Sequence, residues 1–108
     1  MTVSQEYKIA MNLIRKFWDT LRRIADCPDT ECAKPLIESI KHPMMNALVQ
    51  MKTGEGPLRE EMIEPLTVIV SQMRELTNLE ALKGAVNHLL SLADQAQKLE
   101  AEAQKESS

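Results

Sequence analysis

Apolar residues recur at intervals of three and four positions along almost the whole chain, and this periodicity is the strongest constraint on its fold. The spacing is typical of α-helices with one buried face, whereas strands need strict alternation. The chain has 108 residues with only three glycines and five prolines, too few for a turn-rich β-architecture. The sequence therefore predicts an all-α fold, a small helical bundle of about four helices, two of them proline-kinked. We expect one domain over residues 1–100 and a polar, frayed C-terminal tail over 101–108.

Capping residues and prolines set the predicted bounds of the first two helices. The first should run from about Ser4 to Ala25, with Thr2 or Ser4 as its N-cap. The second should start near Lys34. Its apolar face keeps its phase across Pro43, which predicts a kink there rather than a loop.

Glycine and a capping motif separate the last two predicted helices. The segment 53–57 carries two of the three glycines and is the clearest break in the chain. The third helix follows it and should bend at Pro65. Thr77 and Glu80 then form a capping box that opens the fourth helix, whose apolar residues follow a heptad spacing that suggests association between helices of two chains.

The first predicted helix carries more apolar surface than one small core can cover. Its apolar side chains span roughly 200° of the helix circumference, whereas packing against a single core uses about 100°. One flank should therefore face the core and the other a partner, and exposed methionine beside valine on the second helix would extend that surface. The predicted partner or dimer interface consists of Tyr7, Met11, Ile14, Trp18, Met45 and Val49.

Cysteine and histidine do not form a metal-binding pattern in this sequence. Structural zinc sites use paired ligands at short spacing, whereas His42 and His88 lie on different predicted helices. We therefore expect no metal and no cofactor. Unpaired, buried thiols are the default expectation for Cys27 and Cys32, and a disulfide across the turn between them is the alternative.

Motifs typical of catalysis are missing from the sequence. The glycine patterns of the nucleophile elbow, the P-loop and the dinucleotide-binding turn do not occur. The nearest approach to a di-iron Glu-x-x-His motif, Glu38 with His42, has one residue too many. The acidic cluster around Glu60 is explained by the positive end of the helix dipole. We expect a protein that is not an enzyme.

Charge and hydropathy limit the environments in which the chain can act. A net charge of −3 disfavours nucleic-acid binding, and acidic residues dilute the basic face of the first helix. No apolar run reaches the roughly 20 residues that span a bilayer, which predicts no membrane association. The N-terminus lacks an export signal, and two cysteines without one suggest a reducing, cytoplasmic location.

In size and layout the chain resembles two kinds of small bacterial helical protein. One is the anti-activator, which sequesters a transcription factor by covering its dimerisation or ligand-binding surface. The other is the secretion or assembly chaperone, which holds an amphipathic helix of its client. The aromatic and methionine surface favours the first, so we expect a homodimeric regulator that binds another protein. The chaperone is the alternative, and a weak DNA-binding regulator is a further one.

Overall fold

A computed structural model describes the backbone of residues 3–107 and the side chains of residues 3–102. Every regular element in this part of the chain is a helix, so the all-α prediction is confirmed. The five helices are α1 (Gln5–Lys16), α2 (Trp18–Ala25), α3 (Thr30–Thr53), α4 (Arg59–Arg74) and α5 (Leu79–Ser107).

The helices form a bundle in which each packs on its neighbours around a shared core. Both α1 and α2 pack on α3, α3 packs on α4, α4 packs on α5, and α5 returns to α2. The molecule measures 48 × 22 × 19 Å. Its long dimension is set by α5, since 29 helical residues extend roughly 43 Å. Within residues 3–107, no helix has an apolar stretch long enough to cross a membrane.

The first predicted helix is in fact two helices, which raises the count from the expected four to five. Phe17 has φ −105° and ψ 19°, and it separates α1 from α2. Its N–H donates to the Leu13 carbonyl and its carbonyl accepts from the Leu21 N–H, so the chain stays hydrogen-bonded across the break. Neither proline nor glycine marks this position, so the sequence carried no signal for it.

The helix α3 starts earlier than predicted because of an unrecognised cap. It begins at Thr30 rather than near Lys34, and the Asp29 carboxylate accepts a hydrogen bond from the Cys32 N–H at 2.9 Å. Pro35 therefore lies inside the helix.

The internal prolines do not divide the helices that contain them. The helix α3 is continuous through Pro43, and α4 is continuous through Pro65. The bends expected at these two positions remain predictions.

At the start of α1, one serine caps the helix and holds a distant loop. Ser4 Oγ accepts from the Tyr7 N–H at 3.2 Å and from the Glu55 N–H at 2.8 Å. The Ser4 N–H in turn donates to the Glu55 carbonyl at 3.0 Å. The predicted Ser4 cap is confirmed, and the alternative, Thr2, lies outside the described residues. This cap fixes the start of α1 to the α3–α4 loop.

The predicted capping box of the last helix is wrong by one residue. Asn78, not Thr77, caps α5, because Asn78 Oδ1 accepts from the Ala81 N–H at 3.0 Å. The N–H groups of Thr77 and Asn78 both donate to Gln72 Oε1 at 3.0 and 2.9 Å. The Gln72 side chain of α4 thus accepts both backbone hydrogen bonds of the turn between α4 and α5.

All five helices contribute to one apolar core. Among residues 3–102, no polar or charged side chain is buried. The heptad positions of α5 from Leu82 to Ala96 are buried inside the subunit, so this seam joins helices of one chain. The largest fully buried side chains are Tyr7, Met11, Ile14, Leu21, Ile24, Ile40, Met44, Met51, Met62, Leu66, Ile69 and Leu82.

Candidate protein interface

Three of the predicted interface residues belong to the core instead. Tyr7, Met11 and Ile14 are fully buried within the single chain, so their assignment to an exposed flank is wrong. The cover over Tyr7 comes from the α3–α4 loop, where the Pro57 carbonyl accepts from the Tyr7 hydroxyl at 2.7 Å. A Cβ atom at Gly56 would lie 2.5 Å from the Tyr7 ring, which shows how closely this loop packs.

The exposed part of the first apolar arc lies on its opposite flank. Ile9, Leu13 and Phe17 are each half-buried, and Leu13 and Phe17 pack against the edge of the core. Lys16 Nζ lies 5.6 Å from the centroid of the Phe17 ring, within the range of a cation–π contact. Trp18 is also half-buried against the core. Part of the apolar arc therefore stays uncovered by the core. Most of the uncovered part is the flank with Ile9, Leu13 and Phe17, whereas the prediction placed it on the flank with Tyr7 and Met11.

The two predicted interface residues of α3 lie at the surface. Val49 is 58% exposed, the highest value among large apolar side chains of residues 3–102, and Met45 is half-buried. They are four positions apart, which places them on one face of the helix, and Leu48 lies beside them. More than half of the Val49 surface is therefore open to contact with a partner.

A groove between α3 and α4 continues this apolar face. Leu48 from α3 and Val70 from α4 provide its apolar part, and its volume is about 520 Å³. Its remaining lining is polar and comes from Thr67, Ser71, Arg74, Glu75 and Thr77. We use the name α3–α4 surface for Met45, Leu48, Val49, Val70 and Arg74. Leu48 packs against the edge of the core, and only the spacing between the two helices shows that it also lines a groove.

Basic side chains flank the α3–α4 surface. Lys41 lies four positions before Met45 and is half-buried, and Lys52 lies three positions after Val49 and is exposed. Both fall on the same side of α3 as the exposed apolar pair. Arg74 adds a third cation from α4, and Glu75 is the acidic group in the groove lining. The surface thus combines an apolar strip with a positively charged border.

A second, more polar cleft separates α1 from the end of α5. It is lined by Lys8, Asn12, Arg15, Gln97, Glu100 and Ala101, and its volume is about 380 Å³. One carboxylate oxygen, Glu100 Oε1, is buried there without a hydrogen-bond partner.

Burial, and next the nearby negative charge of Glu100, raise the pKa of Tyr7 well above its ordinary value. The Tyr7 hydroxyl therefore keeps its proton at neutral pH and serves as a structural donor to Pro57.

The two cysteines are paired rather than free. Cys27 and Cys32 form a disulfide with a Cα–Cα distance of 5.6 Å, so the default expectation of unpaired thiols is wrong. The cap at Asp29 explains the pairing, since it starts α3 early enough to place Cys32 in its first turn, opposite Cys27. Lys83 Nζ donates to the Cys27 carbonyl at 2.7 Å and so ties this turn to α5.

Metal ligands do not converge in the described part of the chain. Within it, no group of three or more His, Cys, Asp or Glu side chains could hold an ion. Both histidines, His42 and His88, are exposed, and the disulfide occupies both sulfurs.

Comparison with known proteins provides no match. No protein-family model fits the chain, and no curated protein or solved structure is significantly similar to it. Its function is therefore inferred from its own surface.

Proposed function

We propose that this chain is a non-catalytic protein-binding module that sequesters another protein in the cytoplasm through the α3–α4 surface. The observation that carries the proposal is the exposure of Val49, 58%, one helical turn from the half-buried Met45 and beside an open groove. Large apolar side chains aligned along one exposed helix face are typical of sites that another protein covers.

The shape of the surface favours a helix as the bound element. An amphipathic helix places its apolar residues at intervals of three and four, and these would contact Leu48 and Val70 in the groove and Val49 on the adjoining face of α3. Acidic residues on either side of that helix would face Lys41, Lys52 and Arg74. For a regulator of the anti-activator kind, the bound helix would come from the dimerisation or ligand-binding surface of a transcription factor.

The chaperone alternative uses the same geometry with a different occupant. An exported client would present its amphipathic helix to the same groove, so identification of the bound protein distinguishes the two roles. A homodimer could also cover this surface, and binding of the partner would then compete with self-association. DNA binding would instead use the exposed Arg15, Lys16, Arg22 and Arg23 of α1 and α2, and would weaken steeply with salt.

Crosslinking in cells identifies the partner and the surface in one experiment. A photoreactive amino acid at Val49 should yield a crosslinked complex, whereas the same amino acid at the exposed His88 of α5 should not. The partner, identified by mass spectrometry, is then purified and its affinity for the chain measured by calorimetry.

A matched pair of substitutions tests the surface with the purified partner. Val49→Asp should weaken binding by about tenfold or more, because it places a charge in an apolar contact. Val68→Asp is the control, since Val68 is 36% exposed on α4 and is not part of the α3–α4 surface. Equal affinity of the wild type and Val49→Asp, or crosslinking from His88 alone, would contradict the proposal. Retention on DNA at low salt without a protein partner would support the DNA-binding alternative instead.

A further inference from the structure

The two cysteines of the Cys27–Cys32 disulfide differ sharply in exposure to solvent. Cys27 is 1% exposed and belongs to the core, whereas Cys32 is exposed on the first turn of α3. A thiolate must approach a sulfur directly to exchange with it, so access decides which sulfur reacts. The residues between the two cysteines, Pro28 to Glu31, are also exposed and leave the approach to Cys32 open.

We propose that this disulfide is a redox-active pair in which Cys32 is the site of exchange with small thiols. In the first step a thiolate sulfur bonds to Cys32 Sγ, the Cys27–Cys32 bond breaks, and its electron pair passes to Cys27 Sγ. The resulting Cys27 thiolate takes a proton from solvent, because a buried thiolate is costly. A second thiol then attacks the sulfur of the bound small molecule, releasing Cys32 and a small disulfide. Overall, two thiols are oxidised to one disulfide and the protein disulfide is reduced to two thiols.

Reverse exchange uses the same residue. Once reduced, Cys32 is the exposed cysteine of the pair, and its thiolate form is the one that exchanges. That thiolate would attack a small disulfide such as cystamine, and Cys27 would then displace the bound half from Cys32 and restore the protein disulfide. In a cytoplasm rich in reduced thiols the pair would be open, and oxidising conditions would close it.

The bundle can tolerate both states of the pair. The Lys83–Cys27 hydrogen bond uses backbone oxygen, not sulfur, and the Asp29 cap of α3 uses the Cys32 N–H. Neither contact requires the disulfide, so the turn keeps its attachment to α5 and its helix start after reduction. Reduction should therefore leave the helical circular dichroism signal unchanged.

Local charge selects the class of thiol. Asp26, Asp29 and Glu31 are exposed around the pair, and Glu31 forms an ion pair with Lys34 at 3.3 Å. Lys83 Nζ lies at the Cys27 carbonyl and also pairs with Glu80 at 3.9 Å, so the charge around the pair stays negative and repels anionic thiolates such as that of glutathione. A thiolate that also carries an ammonium group, such as that of cysteamine, meets less repulsion. We therefore expect cysteamine to open the disulfide faster than glutathione, with the difference shrinking as salt is added.

Single-cysteine variants of the full chain test which sulfur exchanges. Cys27→Ala leaves Cys32 as the free thiol, and Cys32→Ala leaves Cys27. Under native conditions, reaction with cystamine should be at least about tenfold faster for the first variant, because exchange requires access. Circular dichroism confirms that both variants are folded, and denaturant should remove the difference in rate. Equal rates in the folded variants, or faster reaction of Cys27, would overturn the proposal.

The wild-type protein provides a second measurement that does not depend on the variants. The oxidised chain is exposed briefly to cysteamine, quenched with acid and alkylated, and the mixed disulfide is located by mass spectrometry. The expected product carries cysteamine on Cys32 and the alkyl group on Cys27. Cysteamine on Cys27, a disulfide that opens only in denaturant, or faster reaction with glutathione would each contradict the assignment.

Discussion

Tyr7 joins the N-terminal helix to a loop that lies about fifty positions further along the chain. Its hydroxyl donates to the Pro57 carbonyl, its ring is covered by Gly56, and its own N–H is capped by Ser4. Each of these contacts is satisfied inside one subunit. Tyr7, which the sequence analysis predicted at an interface, therefore stabilises the fold instead. Its buried hydroxyl needs no water, because the Pro57 carbonyl accepts its hydrogen bond.

Removal of the Tyr7 hydroxyl should destabilise the fold, although only one oxygen atom is lost. We expect Tyr7→Phe to lower the free energy of unfolding by about 1–2 kcal/mol, since the Pro57 carbonyl loses its buried donor. Urea denaturation at neutral pH measures the difference. An unchanged free energy of unfolding would show that the hydrogen bond between Tyr7 and Pro57 does not form.

The raised pKa of Tyr7 predicts a stability loss at alkaline pH. The unfolded chain ionises this tyrosine near its ordinary pKa of 10.0, while the folded chain keeps the proton to higher pH. The unfolded state therefore binds fewer protons above pH 10.0, and stability should fall there by up to about 1.4 kcal/mol per pH unit. Tyr7→Phe is the control, because it should lack this component of the pH dependence. Parallel pH profiles for the two proteins would contradict the prediction.

Two glycine substitutions should change stability in opposite directions. A Cβ at Gly56 would meet the buried Tyr7 ring, so Gly56→Ala should destabilise the fold by about 1–3 kcal/mol. Gly84 is exposed on α5 with nothing within 4 Å of its Cβ position, so Gly84→Ala should stabilise by about 0.5–1 kcal/mol. Thermal denaturation of both variants measures the difference, and a Gly56→Ala variant at least as stable as the wild type would contradict the packing around Tyr7.

Helix starts in this chain are decided by side chains that lie just outside the apolar pattern. Ser4 and Asp29 accept N–H groups of the helices that follow them, and Asn78 does the same for α5. The predicted Ser4 cap is confirmed, whereas the predicted starts of α3 and α5 did not use Asp29 and Asn78 as caps. In both cases two capping residues stand within a few positions of each other, and local sequence does not choose between them.

Paired alanine substitutions at the start of α5 distinguish the two candidate caps. Asn78→Ala should cost about 1 kcal/mol, because it leaves the Ala81 N–H without its acceptor. Thr77→Ala should lower the free energy of unfolding by only a few tenths of a kcal/mol. The substitution keeps the hydrogen bond from the Thr77 backbone N–H to Gln72. Chemical denaturation ranks the two. A larger loss for Thr77→Ala would restore the capping box that the sequence suggested.

The whole molecule completes its core within a single chain. The buried residues include Tyr7, the heptad positions of α5 from Leu82 to Ala96, and Met44, Met51, Met62 and Met73, all without a second subunit. The broad apolar arc of the first two helices and the α5 heptad were the grounds for a homodimer. Most of that surface is buried inside the bundle. Association between chains would therefore use the α3–α4 surface.

A subunit with its own core should not need a partner to remain folded. We expect the Tm to stay unchanged on about tenfold dilution, whereas an obligate dimer loses stability as it dissociates. Calorimetry at several concentrations, combined with sedimentation equilibrium, makes the comparison. A Tm that falls with dilution would indicate that a second chain completes the core.

Helix content and most of the core follow from the sequence alone, because an α-helix forms from local hydrogen bonds and its buried stripe repeats at a fixed interval. Met44 and Met51 of α3 and Met62 of α4 lie on these stripes, and they are buried in the core. The exposed pair on α3 was also recognisable, since Met45 and Val49 lie off the apolar stripe of their helix.

Only the tertiary structure decided which flank of the first apolar arc is covered. The answer depends on the α3–α4 loop, whose Glu55 and Pro57 contact Ser4 and Tyr7 from about fifty positions away. Periodicity reports how much of a helix is apolar, but it has no information about which distant segment packs on each side. The break at Phe17 and the groove beside Leu48 have the same origin, since both depend on how separate helices meet rather than on the residues of one helix.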